Sequence, residues 1–181
     1  KNTVLLSTFV VLALFVIVVV NGQRPFTAVD MHKLRRLSGA AVSPDGQWVA
    51  YSIRNWDYPT TNKTSTNIEI VNIKTKETTV ITPSQPGISD YNPLFSPDGR
   101  TLAFLSTRSG SSQIWSIAVP SGDQVRQVTN YPVDITNFKW PRNGDMIVFT
   151  ADVYFDCADL QCTADRDAAV AARGPNTGFV Y

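Results

Sequence analysis

Between Tyr91 and Val119 short apolar runs alternate with turn-forming residues at the spacing of β-strands. Leu94 and Phe95 run into Ser96-Pro97-Asp98-Gly99, Leu102-Ala103-Phe104-Leu105 leads away, Arg108–Ser112 turns back, and Ile114–Val119 returns. Proline presets φ at the second turn position and glycine accepts a positive φ, so three short strands joined by two polar turns are predicted. The pattern occurs earlier as Ala41–Tyr51, around Ser43-Pro44-Asp45-Gly46, and later as Phe138–Phe149, around Asn143-Gly144. The turn glycines Gly46, Gly99 and Gly144 recur at intervals of 53 and 45 residues. Strand-rich repeats of about 40–50 residues are those of propeller blades with four strands each. The prediction is an all-β chain, a partial β-propeller whose three blades span about 38–82, 89–129 and 135–181.

Inside the first blade, Asn67–Ile73 alternates apolar and polar residues, as a strand with one covered face should. The polar stretch Asn55–Thr66 makes this repeat longer than the second and is expected to project as a surface loop. Trp48, Trp115 and Trp140, with Phe95, Phe104 and Phe149, lie in or beside strands and are expected to fill the space between blades; stacking on a ligand is the alternative. Asp152–Asn176 interrupts the third blade before the apolar run Gly178–Tyr181 and contains the Ala-rich segment Ala164–Ala172, expected to be helical. Ahead of the blades, residues 23–37 form a leader and short helix. Thr27 is placed to cap it, and Met31, Leu34 and Leu37 sit at helical spacing. Because a closed propeller needs at least about four blades, the chain is expected to be incomplete.

The first residues change the compartment. Val4–Val20 is almost wholly apolar, Lys1 precedes it, and small Val20 and Gly22 suit a signal-peptidase site that would leave Gln23 as the mature start. The expectation is a signal peptide over 1–22 and a secreted, extracellular or lumenal chain. A signal-anchored membrane protein is the alternative. In such a compartment the two cysteines, Cys157 and Cys162, are expected to pair with each other or with a partner beyond Tyr181. Asn62-Lys63-Thr64 is the only N-glycosylation sequon with an allowed middle residue. The formal net charge of +1 gives no reason to expect nucleic acid as a partner.

Catalytic chemistry is not expected within these residues. No Gly-x-Ser-x-Gly elbow occurs, and the sole histidine, His32, lies in the leader helix far from any such turn. No phosphate-binding glycine loop, paired acidic metal site or zinc-finger spacing is present in the sequence, so no cofactor or metal is expected.

The leader Met31-His32-Lys33-Leu34-Arg35-Arg36-Leu37 joined directly to Ala41–Tyr51, then Phe95-Ser96-Pro97-Asp98-Gly99, resembles the amino-terminal propeller of the prolyl oligopeptidase family of serine peptidases. The resemblance covers Phe26 to Tyr181 and is to the acylaminoacyl-peptidase and secreted dipeptidyl-peptidase-five-like branch. It implies a following α/β-hydrolase domain that carries the Ser, Asp and His, stacks on the propeller as its partner, and cleaves short peptides from the amino end. The propeller's part would be gating and substrate filtering. A membrane would be a partner only if the signal stayed uncleaved. The paired glutamates of the dipeptidyl-peptidase-four branch have no match, since the only glutamates, Glu69 and Glu77, are not adjacent. The Ser-Pro-Asp-Gly turn also occurs in non-enzymatic propellers of the TolB type, which bind proteins.

Overall fold

The structure is a computed structural model, and it describes residues 24–57, 60–142, 144 and 146–174. The expected signal segment over 1–22, the turn residue Asn143 and the apolar run 178–181 lie outside the described residues.

The chain divides into two units, Lys1–Met31 and His32–Tyr181. In the first, Thr27 and Asp30 form a reciprocal cap. The Asp30 carboxylate accepts the Thr27 N–H at 2.9 Å and its hydroxyl at 2.7 Å, while Thr27 Oγ1 accepts the Asp30 N–H at 3.3 Å. Arg24 closes on the same carboxylate with two hydrogen bonds, which holds its guanidinium pKa above the ordinary value. The cap starts helix α1 (Ala28–Lys33). This helix is shorter than the one expected to reach Leu37, because the chain is taken over by a strand: Arg36 pairs with Arg54 and Leu37 with Ile53. Cross-strand pairing outweighs a marginal helical periodicity in so short a segment.

The second unit is built from antiparallel sheets. The first comprises β1 (Arg36–Val42), β2 (Trp48–Asp57), β3 (Lys63–Asn72) and β4 (Thr78–Val80), hydrogen-bonded in that order. The second repeats it with β5 (Asp90–Phe95), β6 (Thr101–Ser106), β7 (Gln113–Ala118) and β8 (Arg126–Gln127). A third sheet pairs β9 (Ile135–Lys139) with β10 (Val148–Ala151). Helix α2 (Leu160–Ala172) follows. It starts earlier than the alanines predict because Asp159 caps it, accepting the Cys162 N–H at 2.8 Å. Among the described residues no helix is long and apolar enough to cross a membrane.

The hydrophobic core lies between sheets. One cluster joins Ala50, Ile68, Ile70 and Ile81 of the first repeat to Leu102, Phe104 and Ile117 of the second, with Trp48, Phe95 and Trp115 packed against it. A second joins Ala103, Leu105 and Ile114 to Ile135 and Phe138 of the third, flanked by Trp140 and Phe149. The aromatic residues therefore fill the space between blades. Strand β6 serves both clusters, sending Leu102 and Phe104 one way and Ala103 and Leu105 the other. A strand covered on both faces reads as a continuous apolar run, as Leu102–Leu105 does.

Two expectations are corrected in the first blade. The polar stretch Asn55–Thr66 is a continuation of the β2–β3 hairpin, with Asn55 opposite Ser65, Trp56 opposite Thr64 and Asp57 opposite Lys63. Threonines at strand positions and the side-chain bond from Asn55 Nδ2 to Asn67 Oδ1 at 2.8 Å favour pairing over an open loop. The alternation of Asn67–Ile73 does not mark one wet face either, because Asn67 and Glu69 are buried along with Ile68 and Ile70. Their polar groups are met by Asn55, by Arg35 and by the Tyr51 hydroxyl.

Candidate functional site

The repeated turn residues make a repeated hydrogen-bonded device. In the first, Ser43 Oγ donates to Asp45 Oδ1 at 2.5 Å and accepts the Trp48 N–H at 2.9 Å, while Asp45 Oδ1 also accepts the Gln47 N–H at 3.0 Å. In the second, Ser96 Oγ donates to Asp98 Oδ1 at 2.6 Å and accepts the Thr101 N–H at 3.0 Å, and the Arg100 N–H reaches Asp98 Oδ1 at 3.0 Å. Gly46 N–H bonds the Ser43 carbonyl and Gly99 N–H the Ser96 carbonyl, each at 2.9 Å. The serine hydroxyl is the largest cause that holds each aspartate below the ordinary carboxylate pKa, followed by the backbone N–H. Both serines are buried and both carboxylates lie at the surface.

These turns also touch from blade to blade. The Cβ position of Gly99 lies 3.5 Å from Pro44 Cδ, and that of Gly144 lies 3.4 Å from both Cδ and Cγ of Pro97. The proline of one turn thus rests on the glycine of the next. A parallel contact runs through the bulges of the first strands. Gly39, at φ +58, presents its Cβ position 3.4 Å from Pro93 Cδ, and Asn92, at φ 53, donates from Nδ2 to Asn137 Oδ1 at 3.1 Å. Asparagine accepts the left-handed conformation more readily than most residues and adds an amide for the next blade.

Other repeat-equivalent residues close the first two blades. Thr82 Oγ1 accepts the Ile68 N–H at 2.9 Å and Thr129 Oγ1 the Ile114 N–H at 2.9 Å. The buried Gln113 pins the linker into the third repeat: its Nε2 donates to the carbonyls of Tyr131 and Val133, and its Oε1 accepts the Tyr131 N–H. Nothing in the sequence pattern singled these residues out, because an isolated Thr or Gln carries no periodic signal.

Two buried carboxylates were also missed. Glu69 pairs with Arg35 and accepts from the Tyr51 hydroxyl. Asp90, at the start of β5, is bonded by Arg108 at 2.6 Å, and that guanidinium lies over the rings of Phe104 and Trp115 at 5.5 and 5.0 Å. Each is an anion matched by a nearby cation, Arg35 just ahead of β1 and Arg108 between β6 and β7, which is a structural arrangement.

The insertion after β10 is held by the Cys157–Cys162 disulfide, with an S–S distance of 2.08 Å. Arg166 bonds the Asp156 carboxylate and stacks over Tyr154 at 4.6 Å, and this pair lowers the Asp156 pKa and raises that of Arg166. The Tyr154 hydroxyl donates to Asp167 at 3.0 Å, which raises the phenol pKa. Between this insertion and the third sheet an open cleft of about 460 Å³ is lined by Asp134, Thr136, Asp152 and Asp167.

Other sequence-derived positions stand apart. His32 packs its ring edge-on against Trp56 at 4.2 Å. Asn62 is exposed at the tip of the β2–β3 hairpin, and Glu77 lies in the turn before β4. Among the described residues no group of three or more His, Cys, Asp or Glu is arranged to hold a metal ion.

Two four-stranded antiparallel sheets in tandem, a third begun, and cores lying between the sheets define a partial β-propeller. The chain belongs to the PD40 family, described as a TolB beta propeller domain, whose model matches residues 17–167. It is 31% identical over 122 residues to dipeptidyl-peptidase 5 of Porphyromonas endodontalis, an alignment covering 66% of this chain and 17% of that protein. It is 30% identical over 131 residues to the peptidase YuxL of Bacillus subtilis, covering 72% of this chain and 20% of that one. Among solved structures it is similar to a TolB from Agrobacterium tumefaciens, with a TM-score of 0.52 and 25% identity over 70% of this chain and 41% of that chain. The chain thus spans a fifth or less of the two curated relatives. The peptidase relatives and the repeat turns are consistent with the amino-terminal propeller of the prolyl oligopeptidase family.

Proposed function

We propose that this chain is the amino-terminal gating and substrate-filtering propeller of a secreted serine peptidase that hydrolyses short peptides from the amino end. The observation that carries the reading is its similarity, across about two thirds of its length or more, to two relatives named as peptidases. The geometry fits a supporting part. The buried Ser43, Ser96, Thr82, Gln113 and Glu69 side chains are spent on turn closure, blade closure and an ion pair, and the stacked turns would build a rigid wall. Catalysis would come from an α/β-hydrolase partner domain whose serine forms an acyl-enzyme with the peptide.

The test is to read the coding sequence beyond Tyr181 and assay the complete protein on dipeptidyl and acyl-aminoacyl reporter substrates. A Gly-x-Ser-x-Gly elbow followed by Asp and His, with hydrolysis that falls off steeply for long or folded substrates, is the expected result. A frame that closes after further blades without the elbow would overturn it. That outcome would favour the second reading, a non-enzymatic binding propeller, which is supported by the likeness to the TolB structure.

Secretion is part of the proposal. The disulfide supports an oxidising compartment. Expressed with its own amino terminus, the protein should reach the medium with Gln23 as its first residue. Recovery in the membrane fraction with residues 1–22 retained would instead mean a signal anchor.

A further inference from the structure

The first blade is asymmetric at one end. Strands β2 and β3 are ten residues each, whereas their counterparts β6 and β7 are six. The extra length is a hairpin closed by its own bonds. Asn62 N–H reaches the Asp57 carbonyl at 2.9 Å, and Thr61 Oγ1 donates to Asp57 Oδ2 at 2.7 Å. Asn62, at φ 53, stands exposed at its tip. Its two amide atoms are differently engaged. Oδ1 accepts the indole N–H of Trp56 at 3.0 Å, which orients the amide plane, while Nδ2 makes no hydrogen bond to any described residue. Two residues on stands Thr64, which completes Asn62-Lys63-Thr64.

We propose that Asn62 is an N-glycan acceptor, presented by this hairpin with its carboxamide nitrogen outward. The inference rests on the proposed secretory route, since the transfer takes place there. In that step Asn62 Nδ2 forms a bond to the anomeric carbon of a polyprenyl-pyrophosphate-linked oligosaccharide. The bond from that carbon to the pyrophosphate oxygen breaks, the lipid pyrophosphate leaves, and one amide proton passes to a base of the transferase. No oxidant or reductant is needed.

The site suits a bulky addition. Outside the hairpin, Gly87 lies against the sequon on one side, its N–H donating to the Thr64 carbonyl at 3.1 Å and its Cβ position 3.8 Å from Lys63 Cδ, while Asn62 itself stays exposed. Neither core cluster includes a residue between Arg54 and Asn67. A glycan there can keep the Oδ1 bond to Trp56, because the modified amide retains its oxygen.

The experiment places the chain behind a heterologous cleavable signal in a eukaryotic secretory host, so that entry does not depend on its own first residues. Secreted protein is treated with an N-glycan amidase and read by electrophoresis and peptide mass. Expected are one mobility step, conversion of Asn62 to aspartate on release, loss of the step in Asn62→Gln and Thr64→Ala, and its retention in Thr64→Ser. Secreted wild-type chain with Asn62 unmodified would overturn the proposal. Failure of the native signal would leave this readout unchanged and count only against the export reading.

Discussion

At the scale of single residues, the informative unit is the serine of each repeat turn. Ser43 and Ser96 are buried, and each hydroxyl both donates to the turn aspartate and accepts a backbone N–H from the following strand. Ser96→Ala strands the Thr101 N–H and frees Asp98, so urea unfolding should show a loss of about 1–3 kcal/mol. Ser43→Ala should behave alike, and an effect in only one of them would argue against equivalent devices. The aspartates add a pH dependence with a definite sign. Asp45 and Asp98 have folded pKa values below the unfolded carboxylate value of about 3.9. Their contribution is therefore complete above that value and is lost as pH falls through the lower folded values. Melting temperatures taken downward from pH about 5 should fall less in an Asp45→Asn, Asp98→Asn double variant than in the wild type. Proline and glycine made the turns legible in the sequence, because both act through local φ. The serine's second bond was not legible, since its partner belongs to the next strand.

At the scale of elements, the blades are joined by contacts that composition cannot display. Gly144 is required twice: its φ is +72, and an added Cβ would meet Pro97 at 3.4 Å. Gly46 shares the conformation, at φ +67, but has nothing within 4 Å of its Cβ position. Gly46→Ala should therefore cost only the left-handed strain of about 1–2 kcal/mol. Gly144→Ala should cost that plus only what Pro97 must give at 3.4 Å, the tight edge of ordinary van der Waals contact. Equal losses in denaturant titrations would mean that the stacked turns carry no energy. The same distinction between local and tertiary causes explains what could be read beforehand. The blade strands, their turns and the aromatic filling followed from periodicity. Asn55–Thr66 was misread because its residues are polar, although pairing across the hairpin made them strands. Leu37 was misread because its partner, Ile53, is far along the chain. Glu69 and Asp90 looked like ordinary strand polar positions, and only the fold brought Arg35 and Arg108 to them.

At the scale of the whole molecule, stability should be graded by how many sheets cover each strand. Strand β6 is covered on both faces, and Leu102, Ala103, Phe104 and Leu105 are all inaccessible to solvent. Full burial of a side chain such as Leu102 or Phe104 contributes about 1.5–3 kcal/mol. In β10, by contrast, Val148 is 54% exposed, and among the described residues its sheet pairs it only with β9. Local opening follows such differences in buried contact, so amide exchange should sort the chain by sheet. In hydrogen-exchange mass spectrometry of this chain, peptides over Thr101–Ser106 and Asn67–Ile70 should be the last to exchange. Those over Val148–Ala151 should exchange well before them. In a longer form with further blades, the third sheet should gain protection while β6, already saturated with neighbours, changes little. If β10 were as protected as β6 in the 181-residue chain, the energy would be stored within sheets and not between them. The inter-sheet cores would then lose their standing as the source of the propeller's rigidity, and with it the physical basis for the proposed filtering role.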